Sequence, residues 1–156
     1  MSEQKPFLFS IKGEFVEKIF RGEKTVEYRR RKPSLQADDV LLIYETSPRC
    51  LVVGFAVAGE IIAGTPGEVW EKTADRGCVG LPFYQRYFDG RAGAVAIELR
   101  MAVRFKAPLA LPAGQAAPQS WSRWRGDWPL PEVDSALAWW SRAMEQARAR
   151  LASRSR

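Results

Sequence analysis

Phe15, Val16, Ile19 and Phe20 recur at three- and four-residue steps, which places them on one face of a short first helix. Lys18 and Arg21 suit the negative end of that helix and Gly22 suits its stop. From Thr25 to Arg31 the period drops to two. Val26, Tyr28 and Arg30 share one face of a strand, and Thr25, Glu27, Arg29 and Arg31 share the other. Val40 to Tyr44 and Leu51 to Val57 are apolar and β-branched, and the turn-prone Ser47-Pro48 between them predicts a hairpin. Thr65-Pro66-Gly67-Glu68 combines an N-cap hydroxyl, a proline for the first helical position and a capping-box glutamate, so a helix is predicted through Trp70 to about Ala74. Another short helix is predicted from Pro82 to Phe88, stopped by Asp89-Gly90. From Ala94 to Phe105, Val95, Ile97 and Leu99 alternate with Glu98 and Arg100, the pattern of a long closing strand.

Short strands interleaved with two or three small helices predict a mixed α/β, mainly β, barrel. The Pro/Ala/Gly stretch from Pro108 to Pro118 changes the composition, which divides the chain into a barrel domain over 1–111 and an extension over 112–156. In the extension, Val133, Leu137, Trp140, Met144, Ala147 and Leu151 form one helical stripe with arginines on the remaining faces. Such a stripe ordinarily docks on a neighbouring core; binding a protein partner or nucleic acid is its other use. Trp121, Trp124 and Trp128 interleave with Arg123 and Arg125, a pattern that fits either base stacking with phosphate pairing or a loop strapped down by its indoles.

The chain contains no histidine, which excludes imidazole acid–base chemistry, histidine-containing triads and histidine-ligated metals. Cys50 and Cys78 are too few for a four-thiolate zinc site, so no metal or cofactor is expected. No apolar run is long enough to span a bilayer, and Met1 to Pro6 lacks the pattern of a signal peptide. A cytoplasmic protein with free thiols is the resulting expectation. Lysine and arginine number 24 against 18 acids, a net charge of +6 that favours polyanions without naming one. From residue 121 onward there are seven arginines and four acids, so positive charge is concentrated in the extension.

The chemistry concentrates in Gly22-Glu23-Lys24-Thr25-Val26-Glu27-Tyr28-Arg29-Arg30-Arg31. Glu27 and Arg29, two apart on a strand, share a face, and the helix-to-strand turn can swing the Lys24 amine over it. A carboxylate beside two or three cations can accept a base amino proton and hold a phosphate. The plain alternative is a solvated strand face with a surface ion pair.

Ser10-Ile11-Lys12, the helix with Phe15 and Ile19, and Gly22-x-Lys24-x-x-Glu27-x-Arg29 together resemble the signature of the ASCH domain, a branch of the PUA-like superfamily. Asp39 to Tyr44 followed by Thr46-Ser47-Pro48, Val53-Gly54, Glu60, Trp70-Glu71-Lys72 and Ala96-Ile97-Glu98 continue the resemblance in order, over about residues 7 to 111. The resemblance implies a pseudo-barrel of five or six strands and a cleft lined by the Lys-Glu-Arg motif that binds RNA or a modified nucleoside. Set beside the reading of the residues, the resemblance leaves Ser10, Lys12, Lys24, Glu27, Arg29, Arg31 and Ser47 as candidates for nucleic-acid binding, with Tyr84 added as the aromatic that its place beside Phe83 would put near the cleft. It also implies two enzymatic alternatives. For a ribonuclease, Lys24 would be the base, Tyr44 the acid and Arg29 or Arg31 the phosphate clamp, with Glu27 a further catalytic candidate. The acetylcytidine amidohydrolases of the family resemble the chain at Gly22, Lys24 and Arg29, but they carry a threonine nucleophile where this chain has Glu27, and only Asp75 is near the place of their catalytic glutamate. Thr25 would be a shifted nucleophile.

Overall fold

The computed structural model describes residues 5–155; Met1 to Gln4 of the polar N-terminal segment and Arg156 lie outside the described residues. It divides into two units, one of residues 6–126 and one of Lys5 with residues 127–155.

The larger unit begins with β1 (Phe7–Ile11), followed by α1 (Gly13–Phe20), β2 (Val26–Arg29), β3 (Val40–Glu45) and β4 (Leu51–Gly64). It continues through α2 (Pro66–Thr73), α3 (Leu81–Tyr87), β5 (Ala94–Leu109) and β6 (Trp121–Arg123). The strands form one sheet in the order β2-β5-β4-β3-β1-β6, curled into a half-barrel. β1 and β3 are parallel, with Ser10 opposite Tyr44, and the other neighbours are antiparallel. The long β4–β5 ladder breaks register at three places between Val52 and Ile61. Such bulges add local twist, which lets two long strands bend around a core.

Local chemistry explains most of the boundaries. α1 buries Val16 and Ile19, and Gly22 beyond its end takes φ +78°, a conformation that costs glycine little. Thr65 caps α2 as its sequence predicts, its Oγ1 accepting from the Glu68 N–H at 3.2 Å, with Pro66 in the first turn. β4 and β5 both run beyond their predicted ends at Val57 and Phe105.

The strand pair β2–β5 is buried on both faces. Val95, Ile97 and Leu99 join Phe9, Ile11, Val16 and Ile43 in the core inside the curl. Val26, Tyr28, Ala94 and Ala96 join Val69, Tyr84 and Phe88 in a second core beneath α2 and α3. Glu27 is opposite Ile97 and Arg29 opposite Val95, so both charged residues point to the inside of the curl.

The sequence pattern does not reveal β1 or β6. β6 pairs with β1, Trp121 sits edge-on against Phe7, and the Trp124 N–H donates to the Pro6 carbonyl at 2.9 Å. Trp124 is buried, and Gly126 lies against its indole. Residues 112–126 therefore fold with the barrel, and the structural division falls after Gly126 rather than after residue 111.

The smaller unit is dominated by α4 (Pro131–Arg154), the amphipathic helix read from the stripe. It has a proline and two acids, Glu132 and Asp134, in its first turn and Arg154 in its last, in keeping with its dipole. Trp139 and Leu151 are exposed on it.

No described helix is long and apolar enough to cross a membrane. Cys50 and Cys78 are unbridged.

Candidate functional site

A cavity of about 220 Å³ opens where the ends of β1 and β2 face α3. Ser10, Lys12, Lys24, Glu27 and Arg29 supply its polar side, joined by Gln119, while Phe15, Val79, Phe83 and Tyr87 supply its apolar walls. The α1–β2 turn delivers Lys24: its N–H donates to the Lys18 carbonyl, and two residues later the chain is paired in β2.

The three charged groups converge rather than splay. Lys24 Nζ lies 4.0 Å from Glu27 Oε1, and Arg29 Nη2 lies 3.6 Å from Glu27 Oε2. All three residues are buried, so this is not the solvated strand face of the plain alternative. Lys24 is 2% exposed and donates to the Gly77 carbonyl at 2.5 Å, and its ammonium lies 4.9 Å from the Phe15 ring centre. Burial lowers its pKa from the usual lysine value; Glu27 works in the opposite direction, and Arg29 adds to the lowering.

Arg29 is tied to the rest of the barrel. Nη1 donates to Ser120 O at 3.0 Å and Ser120 Oγ at 2.9 Å, and Nη2 donates to Ser10 O at 3.0 Å. Its guanidinium also stacks over Phe9 at 4.9 Å. Because β2 is one edge of the sheet and Ser10 and Ser120 lie at the other, Arg29 closes the curl. It acts as a fixed charge beside Glu27, with little capacity left to clamp a ligand. Its Nε is buried without a hydrogen-bond partner. The Ser10 hydroxyl is likewise committed, donating to Pro118 O at 2.6 Å, and this bond brings Gln119 to the rim.

Arg31, Ser47, Tyr44 and Tyr84 do not line this cavity. Arg31 lies in a neighbouring groove and Ser47 is exposed in the β3–β4 turn, at a cis peptide with Pro48. Tyr44 is buried on β3, and its pKa is raised, first by its side-chain interaction with Cys50 and then by burial. Tyr84 points into the second core, contrary to its expected place near the cleft. Its hydroxyl donates to Pro66 O at 2.7 Å, its ring meets Tyr28 at 5.0 Å, and burial pushes its pKa up to about 12. The helical phase explains the difference. Phe83 and Tyr87, four apart on α3, share the cavity face with rings nearly parallel at 6.4 Å, while Tyr84 and Phe88 turn inward. Tyr87 donates its hydroxyl to Tyr28 O at 3.3 Å, and burial raises its pKa.

The walls Phe15, Val79 and Phe83, and Gln119 and Ser120 as parts of the site, are not singled out by the sequence. For Phe83 and Tyr87 the four-residue spacing was the available signal. Gln119 and Ser120 have none, since contacts across about a hundred residues bring them in. Neither Thr25 nor Asp75, the two residues on which an amidohydrolase would depend, lines the cavity. No cluster of three or more Cys, Asp or Glu that could hold a metal ion forms among the described residues.

Chemically, the cavity offers one carboxylate acceptor, an ammonium with hydrogens to spare and aromatic walls. That set suits a planar, polar group with both donors and acceptors.

The ASCH domain family model matches residues 9–102. An ASCH domain-containing ribonuclease from Zymomonas mobilis subsp. mobilis is 34% identical over 98 residues, which cover 63% of this chain and 66% of that protein, just under two thirds of its length. The crystal structure of ASCH from Zymomonas mobilis superposes with a TM-score of 0.73 at 30% identity, covering 79% of this chain and 90% of that one. A tyrosine-to-phenylalanine mutant of the same protein gives a TM-score of 0.73 at 30% identity, with 78% and 91% covered. The family match spans more than half of the sequence and takes in every strand from β1 to the middle of β5, and on that ground the chain belongs to the ASCH domain family.

Proposed function

We propose that this ASCH domain handles RNA by holding one base or nucleoside, modified or not, in the cavity of Lys24, Glu27 and Arg29. The observation that supports this most is Glu27, a buried carboxylate held between two cations and facing a small aromatic-walled space. In this reading Glu27 accepts from an exocyclic base amine, Lys24 donates to a base carbonyl or ring nitrogen, and the base packs against the aromatic wall of Phe15, Phe83 and Tyr87. Arg29 positions Glu27. Lys12, exposed at the rim, meets a phosphate.

Binding of labelled single-stranded RNA tests the reading. Glu27→Gln and Lys24→Met should each weaken association by about tenfold or more, the loss expected for hydrogen bonds to charged groups. Unchanged affinity in both variants would remove the cavity from the account.

A second reading, cleavage of the RNA, is favoured by the ribonuclease name of the relative and by the lowered pKa of Lys24. A deprotonated Lys24 would take the proton of a 2′-hydroxyl. The 2′-oxygen would then attack the adjacent phosphorus, and the departing 5′-oxygen would gain its proton from solvent. The two readings have opposite pH signatures. A charged Lys24 donor is present below its folded pKa, so affinity falls as pH rises through a window lying below the usual 10.5. A Lys24 base is active above that pKa, so turnover rises through the same window. Lys24→Met should abolish either trend, whereas Cys78→Ser, which removes the neighbouring thiol, should leave it in place. A trend that survives Lys24→Met belongs to another group.

A further inference from the structure

The cavity occupies one face of α3, and a second groove, of about 340 Å³, occupies another; the two share no lining residue. Phe83 and Tyr87 face the cavity, whereas Leu81, Tyr84 and Gln85 face the groove, followed by Phe88 and Asp89 in the turn beyond the helix. Trp70 of α2, half-buried, forms the opposite bank. The three rings meet in a row, Trp70 against Tyr84 at 4.7 Å and Tyr84 against Phe88 at 4.7 Å.

The polar groups of this groove are uncommitted. Asp89 is exposed and is the only charged residue in the lining, and in a chain with 24 cations it makes no ion pair among the described residues. The Trp70 indole N–H and the Gln85 side-chain amide make no hydrogen bond among the described residues either. Elsewhere the chain sets its own cations over Phe7, Phe9, Phe15, Phe20, Tyr28 and Tyr87, but none of the described cations lies over Trp70, Tyr84 or Phe88.

We propose that this groove binds an arginine side chain carried on an extended peptide segment of a protein partner. Aromatic faces and a lone carboxylate together form the environment that attracts an organic cation. Arginine fits best, because its planar guanidinium can stack on a ring while its fork pairs with a carboxylate. The Trp70 N–H can donate to a peptide carbonyl, and the Gln85 amide can both donate and accept, so the groove also meets the needs of the backbone that carries the side chain. Its volume falls within the range of cavities that hold ligands, which begins at about 300 Å³.

The test follows the Trp70 indole signal in the ¹⁵N spectrum of the full chain, assigned by its loss in Trp70→Phe. The probes are a capped pentapeptide with one arginine between alanines, the same peptide with neutral citrulline, argininamide alone and a short single-stranded RNA. The arginine peptide should move the signal and saturate it. The citrulline peptide and argininamide should each bind more weakly by about tenfold or more, and Asp89→Asn should weaken the arginine peptide by a similar factor. RNA affinity should be unchanged in Asp89→Asn. Equal binding of the citrulline peptide or of argininamide, full peptide affinity in Asp89→Asn, a Trp70 signal that moves with RNA alone, or no movement at millimolar peptide would overturn the inference. None of these results bears on the Lys24 cavity, which is tested by RNA binding in Glu27→Gln and Lys24→Met.

Discussion

Arg29→Met should destabilise the fold by about 3–5 kcal/mol, read as the shift of a urea unfolding curve, because it removes one partner of a buried charged set. The loss has two sources. Three hydrogen bonds from one guanidinium to Ser10 and Ser120 join the β2 edge of the sheet to its far edge. Glu27 would keep only Lys24, at 4.0 Å, as a charged neighbour in a site where desolvation is costly. Arg29→Lys should recover little, since a lysine cannot reproduce the fork that reaches both serines. Adding Glu27→Leu to Arg29→Met should return part of the stability, because it removes the stranded carboxylate. A loss below about 1 kcal/mol for Arg29→Met would match an exposed ion pair and would contradict the role assigned to the cluster.

The second large effect is expected at Gly77, beside the lysine. A Cβ there would fall 2.3 Å from Tyr28 Cε2 and 2.6 Å from its hydroxyl oxygen. Tyr28 cannot yield easily: its hydroxyl bonds to Thr73 O and Thr73 Oγ1, and its ring meets Tyr84 at 5.0 Å and Phe88 at 6.2 Å. Gly77→Ala should therefore cost about 1–3 kcal/mol as an overpacked site. It should also weaken RNA binding, because the displaced backbone carries the carbonyl that anchors Lys24. Gly67, whose Cβ would meet nothing within 4 Å, is the matched control; alanine there should leave binding unchanged. Full RNA affinity in a folded Gly77→Ala protein would show that the position of Lys24 matters little.

How much of this was legible beforehand depends on the range of the contacts. α1, the β3–β4 hairpin and the Thr65 cap are governed by neighbours within a few residues, and the sequence pattern found them. The convergence of Lys24, Glu27 and Arg29 was also readable, since a strand period of two and one short turn are enough to place them. β1 shows no apolar-polar alternation because both its faces are buried: Phe7, Leu8, Phe9 and Ile11 are interrupted only by the half-buried Ser10. Its partner β3 lies beyond a helix and another strand, a parallel pairing that no local signal announces. In α3 the residues Leu81, Phe83, Tyr84 and Tyr87 are apolar around much of the helix, so the sequence leaves its phase open and does not separate Tyr84 from the cavity face. β4 continues through Gly59-Glu60, where a turn-prone pair sits at a break in register rather than at an end. The committed hydrogen bonds of Arg29 required the fold itself, because Ser120 is 91 residues away.

A crystal structure of the protein with a short single-stranded RNA tests the central claim most directly. The account predicts one base in the cavity walled by Phe15, Phe83 and Tyr87, its amino group on the Glu27 carboxylate and its ring acceptor on Lys24. An RNA seated elsewhere, with the cavity holding only solvent, would contradict it.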